Sequence, residues 1–458
     1  MAILQIELNL SDEQMKCFRD AMRGENVFIT GGAGCGKSHI LKKIIECKGN
    51  KNMAVTASTG CAAAIIGAST FHSTCALGLG KAPVKAIVHK IVNENRYAYL
   101  RIKSMKTLIV DEVGMLTGRL FDKAGDVIGM LRRMYGTTYD SITSNAQPTA
   151  PFDDLQLILC GDALQLPPVD QDTEGWIFEA KCWKKLDFKV HVLSQVHRQQ
   201  DVRFIQILQR MRMGQSTISD LSYLIQNSSK TPIPDCLKLY AVNAPADNEN
   251  EMQLAELPGR AHRFFAIDSG SNPNIHESCL KDILKHCPCP SLLILKVGAR
   301  VMCLKNVSEN LSNGSIGTVE DIFQSAGENQ FTARVCVLVN FDGQLGSSSF
   351  KHTFSTHIIG EEVQPENMFT IRGQNNNKLA QRIQIPLRLA WAVSIHKSQG
   401  MSLEGVHVDF QRTFAPGQAY TALSRVKTLP NCYIRGLKLS HMKMVAPKAV
   451  EFYTSLNR

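Results

Sequence analysis

The stretch Gly31-Gly32-Ala33-Gly34-Cys35-Gly36-Lys37-Ser38 satisfies the pattern G-x-x-x-x-G-K-[ST] in full. Val27-Phe28-Ile29-Thr30 reads as a buried strand entering it. The residues after Lys37, apolar at Ile40, Leu41, Ile44 and Ile45, read as a helix leaving it. Glycine at four of the eight positions lets the backbone wrap closely around phosphate and turn its N–H groups inward. The helix N-terminus adds a favourable dipole. Gly32, Ala33, Gly34, Cys35, Gly36, Lys37, Ser38 and His39 thus form a candidate cradle, with Lys37 reaching the β- and γ-phosphates and Ser38 on Mg²⁺. A glycine-rich turn that binds nothing would need neither the strand nor the helix. The chain is expected to bind a nucleoside triphosphate on an α/β fold.

At 458 residues the chain exceeds what one core can bury, so about three domains are expected. Lys plus Arg number 51 against 41 Asp plus Glu, a formal +10 that suits a polyanionic partner without requiring one. The 14 cysteines are scattered. Their tightest group, His286-Cys287-Pro288-Cys289, has no second cysteine pair to complete a zinc site, so free thiols in a reducing, intracellular compartment are expected. No signal peptide and no apolar run near 20 residues are seen, which argues against secretion and membrane insertion. Nuclear, mitochondrial, bacterial and viral settings are not distinguished.

Ser11-Asp12-Glu13-Gln14 opens a helix upstream of the phosphate loop. Gln14 has two readings, the closing member of a capping box and an amide that reads an adenine edge. After the loop, Met53–Ala57 reads as a second strand. It runs into Ser58-Thr59-Gly60-Cys61 and then Thr70-Phe71-His72-Ser73. Small and hydroxyl residues at a strand end suit approach to a sugar–phosphate backbone, with Phe71 and His72 stacking on bases. A tightly packed helix with a core Phe fits the same residues. Between Lys81 and Lys106 seven basic residues face only Glu94, with Tyr97 and Tyr99 interleaved. That run is either a solvated face or a single-strand platform.

Thr107-Leu108-Ile109-Val110-Asp111-Glu112 reads as a buried strand ending in two acids. Asp111 would hold the metal and Glu112 would orient and deprotonate an attacking water. The Thr-, Ser- and Pro-rich segment 136–151 reads as a surface loop. A further strand over 155–160 leads to Gly161-Asp162-Ala163-Leu164-Gln165, where Gln165 could sense the γ-phosphate. A fifth strand, 189–193, leads to Val196-His197-Arg198-Gln199. Five strands with intervening helices describe a doubly wound parallel sheet whose candidate residues all sit at C-terminal strand ends. Strands over 237–241, 405–409 and 431–434, with helices near 203–212, 244–256, 387–399 and 416–426, describe a second set. Short β segments with turn signals over 298–380 describe an inserted β module.

GGAGCGKS, STGCAAAIIGASTFHS, GDALQLPPV, VHRQ, LAWAVSIHKSQGMSLEG and AYTALSRV occur in the order of the superfamily 1 helicases. The chain resembles, more narrowly, the Pif-type (petite integration frequency) DNA helicases of the RecD-like branch, from Gln14 to about Val426. The resemblance implies two RecA-like domains, 1–196 (with 81–106 as a basic wedge) and 197–297 plus 381–458, with a β-barrel-like module at 298–380. It implies adenine recognition by Gln14 and γ-phosphate sensing by Gln165. Arg198 and Arg425 would close on the γ-phosphate from the second domain. Thr59, Gly60, Thr70, His72, His396 and Lys397 would line the DNA track. Gly114 departs from the pattern, standing where the family usually has Ser, and His197 stands where Phe is common.

The implied activity is ATP- and Mg²⁺-dependent movement along single-stranded DNA, 5′-to-3′, with unwinding of forked duplex, RNA–DNA hybrids or G-quadruplexes by a monomeric motor. DNA repair, recombination and replication are the implied settings. A translocase that never separates strands would use the same residues. A small-molecule phosphotransferase would share only the phosphate loop and its acids.

Overall fold

The computed structural model describes residues 10–49, 52–66, 68–78, 80–134, 151–168, 174–270, 280, 284, 287, 289–305, 307–308, 311, 315–326, 333–342, 349–356, 367–372 and 378–456. The expected loop 136–151 lies almost wholly outside them, as do the turn signals at Asn313-Gly314 and Gly343.

The first sheet holds β1 (Val27–Gly31), β2 (Met53–Ala57), β3 (Ser69–Thr70), β4 (Thr107–Asp111), β5 (Gln156–Cys160) and β6 (Lys189–Leu193), in the order β3-β2-β4-β5-β1-β6. Every neighbouring pair is parallel. β1, β4 and β5 are buried at all five positions because cores lie on both faces of the sheet. The sixth strand, β3, is too short to leave a periodic signal; its two residues pair with β2 at the edge.

β7 (Leu237–Tyr240) opens a second sheet, which β18 (Ala392–Ser394), β19 (Val406–Asp409) and β20 (Cys432–Arg435) complete in the parallel order β18-β7-β19-β20. The helix expected over 387–399 does not form. Leu387–Leu389 is β17, which pairs with β11 of the antiparallel region, and Ala392–Ser394 pairs with β7. Only Ile395–Ser398 is helical, as a 3-10 turn. The apolar spacing of that stretch suits either element, and the open edges of two sheets decide it. Asn250 then holds the β18 backbone, accepting from Ala392 N–H (2.9 Å) and donating to Ala392 C=O (2.8 Å).

Between these strands lie β8 (His262–Phe265), β9 (Ile267–Gly270), β10 (Leu292–Leu295), β11 (Arg300–Cys303), β12 (Ile316–Ala326), β13 (Ala333–Phe341), β14 (Phe350–Ser355), β15 (Met368–Arg372), β16 (Lys378–Ile383) and β17. They form three antiparallel sheets. The region is wider than 298–380, because Phe264, Leu293, Leu295, Ile385 and Leu387 share one core with Val301, Val337 and Phe354.

The last helix, Pro447–Leu456, returns to the first sheet instead of staying with the second. Phe452 stacks on Phe178 (centroids 4.2 Å) and lies against Phe28, while Tyr453 packs with Ala163 and Trp176. Phe28, Trp176 and Phe178, far from the helix in sequence, make that docking site, so no local pattern announced it.

The basic stretch 81–106 folds as two helices, Val84–Glu94 and Arg96–Ser104. Three of its members have structural tasks. Tyr99 is buried in the first core. Arg101 donates to the carbonyls of Ser73 and Thr74, and Lys103 donates to those of Arg132 and Met134 at the end of helix Gly118–Arg133. Lys81, Lys85, Lys90, Arg96, Tyr97 and Lys106 remain exposed, so a platform reading survives for them alone.

Candidate functional site at the cleft between two parallel sheets

The phosphate loop leaves the buried end of β1 and feeds the helix Lys37–Lys48. Lys37 Nζ donates to the loop's own Gly31 and Gly32 carbonyls at 2.9 and 2.8 Å, which parks the ammonium over the cradle. Cys35 is buried beside the loop, while Ser38 and His39 are exposed at the helix start. Gln14 meets its capping reading in full and also reaches the phosphate loop. It closes the capping box with Ser11, and its Nε2 donates to Gly36 C=O at 3.4 Å.

β4 delivers the two acids beside the loop. Asp111 Oδ1 accepts from Glu112 N–H at 2.8 Å. Glu112 stands in the left-handed region (φ +52°), a strained setting for a non-glycine residue that aims its side chain across the cleft. Burial, with the Asp111 charge second, pushes the Glu112 carboxyl up to about 7. Burial likewise raises Asp111, against the pull of Lys37. Gln399, just past the 3-10 turn of the second sheet, donates to Glu112 Oε2 at 2.8 Å.

Arg425 arrives from the other side, whereas Arg198, expected there too, follows β6 of the first sheet and stands against the loop, its neighbour His197 donating its N–H to Gly34 C=O at 2.8 Å. Arg425 follows helix Gln418–Leu423 and is fully buried; its Nη2 donates to Gln165 Oε1 at 3.0 Å and its Nε to Thr421 C=O at 3.0 Å. Arg198 donates to Ser402 Oγ and Ser424 C=O, both at 2.8 Å. Burial and then the Arg425 charge lower Arg198 to about 9, and burial lowers Arg425 too. Two guanidiniums, with the Arg425 charge depressing Arg198 and with Arg425 and Lys37 both acting on Glu112, make a site that an added polyanion would relieve. Gly417 makes the close approach possible. It has φ +71°, and a Cβ there would lie 1.6 Å from Gln165 O.

Several members of the cleft had no signal of their own in the sequence. Arg212 Nε and Nη2 grip Asp162 at 2.9 and 2.8 Å, and the guanidinium lies 4.4 Å from the Tyr453 ring centroid. Burial alone would raise the Asp162 carboxyl; Arg212 more than reverses this and holds it below the ordinary range. Tyr420 OH accepts from the phosphate loop's Ala33 N–H at 2.8 Å, and Tyr453 OH bonds the Thr30 hydroxyl and accepts from Ala163 N–H. Asp162, Tyr420 and Gln399 lie inside recognised motifs, whereas Arg212 and Tyr453 do not. Gly114 also gains a reason: a Cβ there would meet Asp162 O at 2.7 Å, so a serine at this position needs a shifted backbone.

Of the expected DNA-facing residues, Thr59 and Thr70 spend their hydroxyls as helix caps, accepting from Ala62 and Ser73 N–H. Gly60 is exposed. His72 and His396 are half-buried and burial lowers both below the usual histidine value. Lys397 stands beside His396 on the 3-10 turn. Both groups occupy C-terminal strand ends, after β2 and β3 in one sheet and β18 in the other. Phe71 does not face a partner. It is fully buried and stacks on Phe121, so the core claims it. Among the described residues no group of three or more His, Cys, Asp or Glu could hold a metal, and Cys287 and Cys289 are free thiols.

A family model described as PIF1-like helicase matches residues 9–221, and one described as DNA helicase Pif1, 2B domain matches residues 279–322. The human "ATP-dependent DNA helicase PIF1" is 34% identical over 461 residues, covering 98% of this chain and 64% of the human protein. This chain therefore spans just under two thirds of that relative's length. The crystal structure of Pif1 helicase from Candida albicans has a TM-score of 0.82 at 32% identity, covering 98% of this chain and 99% of that one. That of Pif1 helicase from Bacteroides in complex with ADP-AlF3 and ssDNA has a TM-score of 0.64 at 26% identity, covering 98% and 97%. These likenesses run through both parallel sheets and the antiparallel region between them, and the chain belongs to the PIF1-like helicase family.

Proposed function

We propose that this chain is an ATP-dependent DNA helicase that moves 5′-to-3′ along single-stranded DNA as a monomeric motor and opens forked duplex. The Arg425–Gln165 contact carries the reading. A triphosphate in the Lys37 cradle would lie against both parallel sheets at once, so binding and hydrolysis change how the sheets are joined. Solved Pif1 structures include a complex with ssDNA and one of DNA unwinding at forked dsDNA, which supports the same substrates here. G-quadruplexes and RNA–DNA hybrids rest on the family resemblance alone.

In this mechanism Gln14 reads the base, the loop from Gly32 to His39 holds the phosphates, and Lys37 leaves its two carbonyls for the β- and γ-oxygens. Glu112, held high by burial, orients the attacking water and takes its proton. Gln165 reports the γ-phosphate to Arg425, and Arg198 and Arg425 bind the charge that develops on it. Ser38 and Asp111 fit a magnesium ion. They are hard oxygen donors, and a cation is what a raised, desolvated pair such as Asp111 and Glu112 lacks. Magnesium when bound neutralises phosphate charge. Thr59, Gly60, Thr70, His72, His396 and Lys397 line the strand, one group on each sheet, so grips that alternate would advance it. The two sheets and their helices are the two RecA-like domains, and 81–106 is the wedge.

Free thiols at the described cysteines support a reducing, intracellular compartment, and among the described residues no helix is long and apolar enough to cross a membrane. ATPase measured with and without single strands, together with unwinding of duplexes tailed 5′ or 3′, tests the proposal. Strand-stimulated turnover with unwinding of the 5′-tailed duplex is the expected result. Turnover indifferent to DNA would replace the reading with a phosphotransferase, and stimulation without unwinding would leave a translocase.

A further inference from the structure

The antiparallel region contains a cavity of about 650 Å³, and none of the residues placed in the nucleotide cleft lines it. Its rim follows strand periodicity. Arg263, Phe265 and Ile267 come two apart and are all exposed, Phe265 at 71%, while Phe264 between them is buried in the core. Leu292, paired opposite Phe265, is exposed as well. Arg260 and His262 join Arg263 in the lining, and no Asp or Glu is among the described lining residues. The nearby carboxylate, Asp268, is held by Arg382 through two bonds of 2.8 and 2.7 Å.

The floor adds a polar feature. Asn367, 1% exposed, donates its Nδ2 to Ser355 C=O at 2.6 Å, and its Oδ1 has no hydrogen-bond partner. Its neighbour Gln384 is satisfied at both ends, donating to Phe264 C=O and accepting from Ile385 N–H. A buried acceptor left unpaired asks for a donor.

We propose that this cavity is a subsite for one unpaired nucleotide, distinct from the track at the strand ends of the two parallel sheets. The base stacks on Phe265, a turn of the Asn367 side chain opens its buried Oδ1 to accept an N–H of the base edge, and flanking phosphates meet Arg260 and Arg263. Every base has a stacking face and an edge with an N–H donor, so the subsite tolerates any sequence. The volume lies within the range of about 300–1,000 Å³ usual for small-molecule sites. The inference rests on the DNA-binding reading above. It adds a second anchor for strands long enough to reach the antiparallel region.

The test uses the full chain. Titration with a long oligothymidine should quench the fluorescence added by Phe265→Trp. The double change Arg260→Glu, Arg263→Glu should lower the salt slope of long-strand binding by about 1.4, two phosphates at roughly 0.7 each. Phe265→Ala should weaken the long strand about tenfold, since base–aromatic stacking is worth ~1–3 kcal/mol. A short oligonucleotide that fills only the track should stimulate ATPase in these variants as it does in the parent. Unchanged quenching, slope and affinity with strand-stimulated ATPase intact would overturn the subsite alone. Loss of strand stimulation in the parent would instead overturn the DNA reading. A concentration-dependent mass that Phe265→Ala abolishes would assign the face to a second copy and overturn the nucleotide subsite.

Discussion

Arg425 Nη2 and Gln165 Oε1 lie 3.0 Å apart although 260 positions separate them in the chain. Gln165 stands beyond the tip of β5 in the first sheet, and Arg425 follows a helix packed on the second. A bond between two buried side chains on different sheets exists only while the sheets are close. Closure of the cleft and completion of the arginine pair are therefore one event.

Replacing Arg425 by Ala removes a charge that acts on the transferring phosphoryl group. Turnover should fall by ~10³-fold or more, the range of arginine fingers, while ADP affinity changes little. Steady-state ATPase and a fluorescent-ADP titration give the two numbers.

Lys37→Ala removes the cation of the cradle. ATP turnover should drop by at least ~10²-fold with single-strand affinity largely retained, because the proposed track uses other residues. Loss of DNA binding in an anisotropy titration would show that the two sites are not separable.

Gly417→Ala tests closure itself. The added methyl would sit 1.6 Å from Gln165 O, and φ +71° disfavours any side chain. The variant should bind ADP through the first sheet yet hydrolyse ATP at least ~10-fold more slowly. Normal turnover would mean that the lobes need not approach this closely.

The Asp162–Arg212 pair should show in stability. Asp162→Asn leaves a buried guanidinium unpaired, a change that costs about 3–5 kcal/mol and is read from denaturant midpoints. The pH limb has a defined sign. The folded Asp162 carboxyl lies below its unfolded value, so its contribution is present above the ordinary aspartate range and lost as pH falls through the folded value. The variant's acid limb should be flatter than the parent's.

Charge reversal at Lys81, Lys85 and Lys90, all exposed, should weaken DNA binding and reduce its salt slope by up to about 2. An unchanged slope would return these lysines to an ordinary solvated face.

The local chemistry was legible from residues alone. The phosphate loop and the acids at the end of β4 are short patterns whose spacing is set by what they must touch, whereas Arg425 was marked only through the family resemblance. The alternation of strands and helices likewise announced parallel sheets. Propensity misled where two sheets competed for one segment: 387–399 became β17, β18 and a 3-10 turn because open edges of both sheets lay beside it.

Burial and long-range pairing were decided only by tertiary structure. Phe71, Tyr99, Arg101 and Lys103 fit a DNA-facing pattern by type, yet the core and two sets of carbonyls claim them. Arg212 and Tyr453 carry no motif, and they matter because helix ends from distant parts of the chain converge on Asp162 and Thr30. The sequence determined which groups could handle a triphosphate, because that chemistry is held in short stretches. Which of them share one cleft depends on packing between segments hundreds of residues apart, and there desolvation and steric fit, which no local pattern encodes, select the partners.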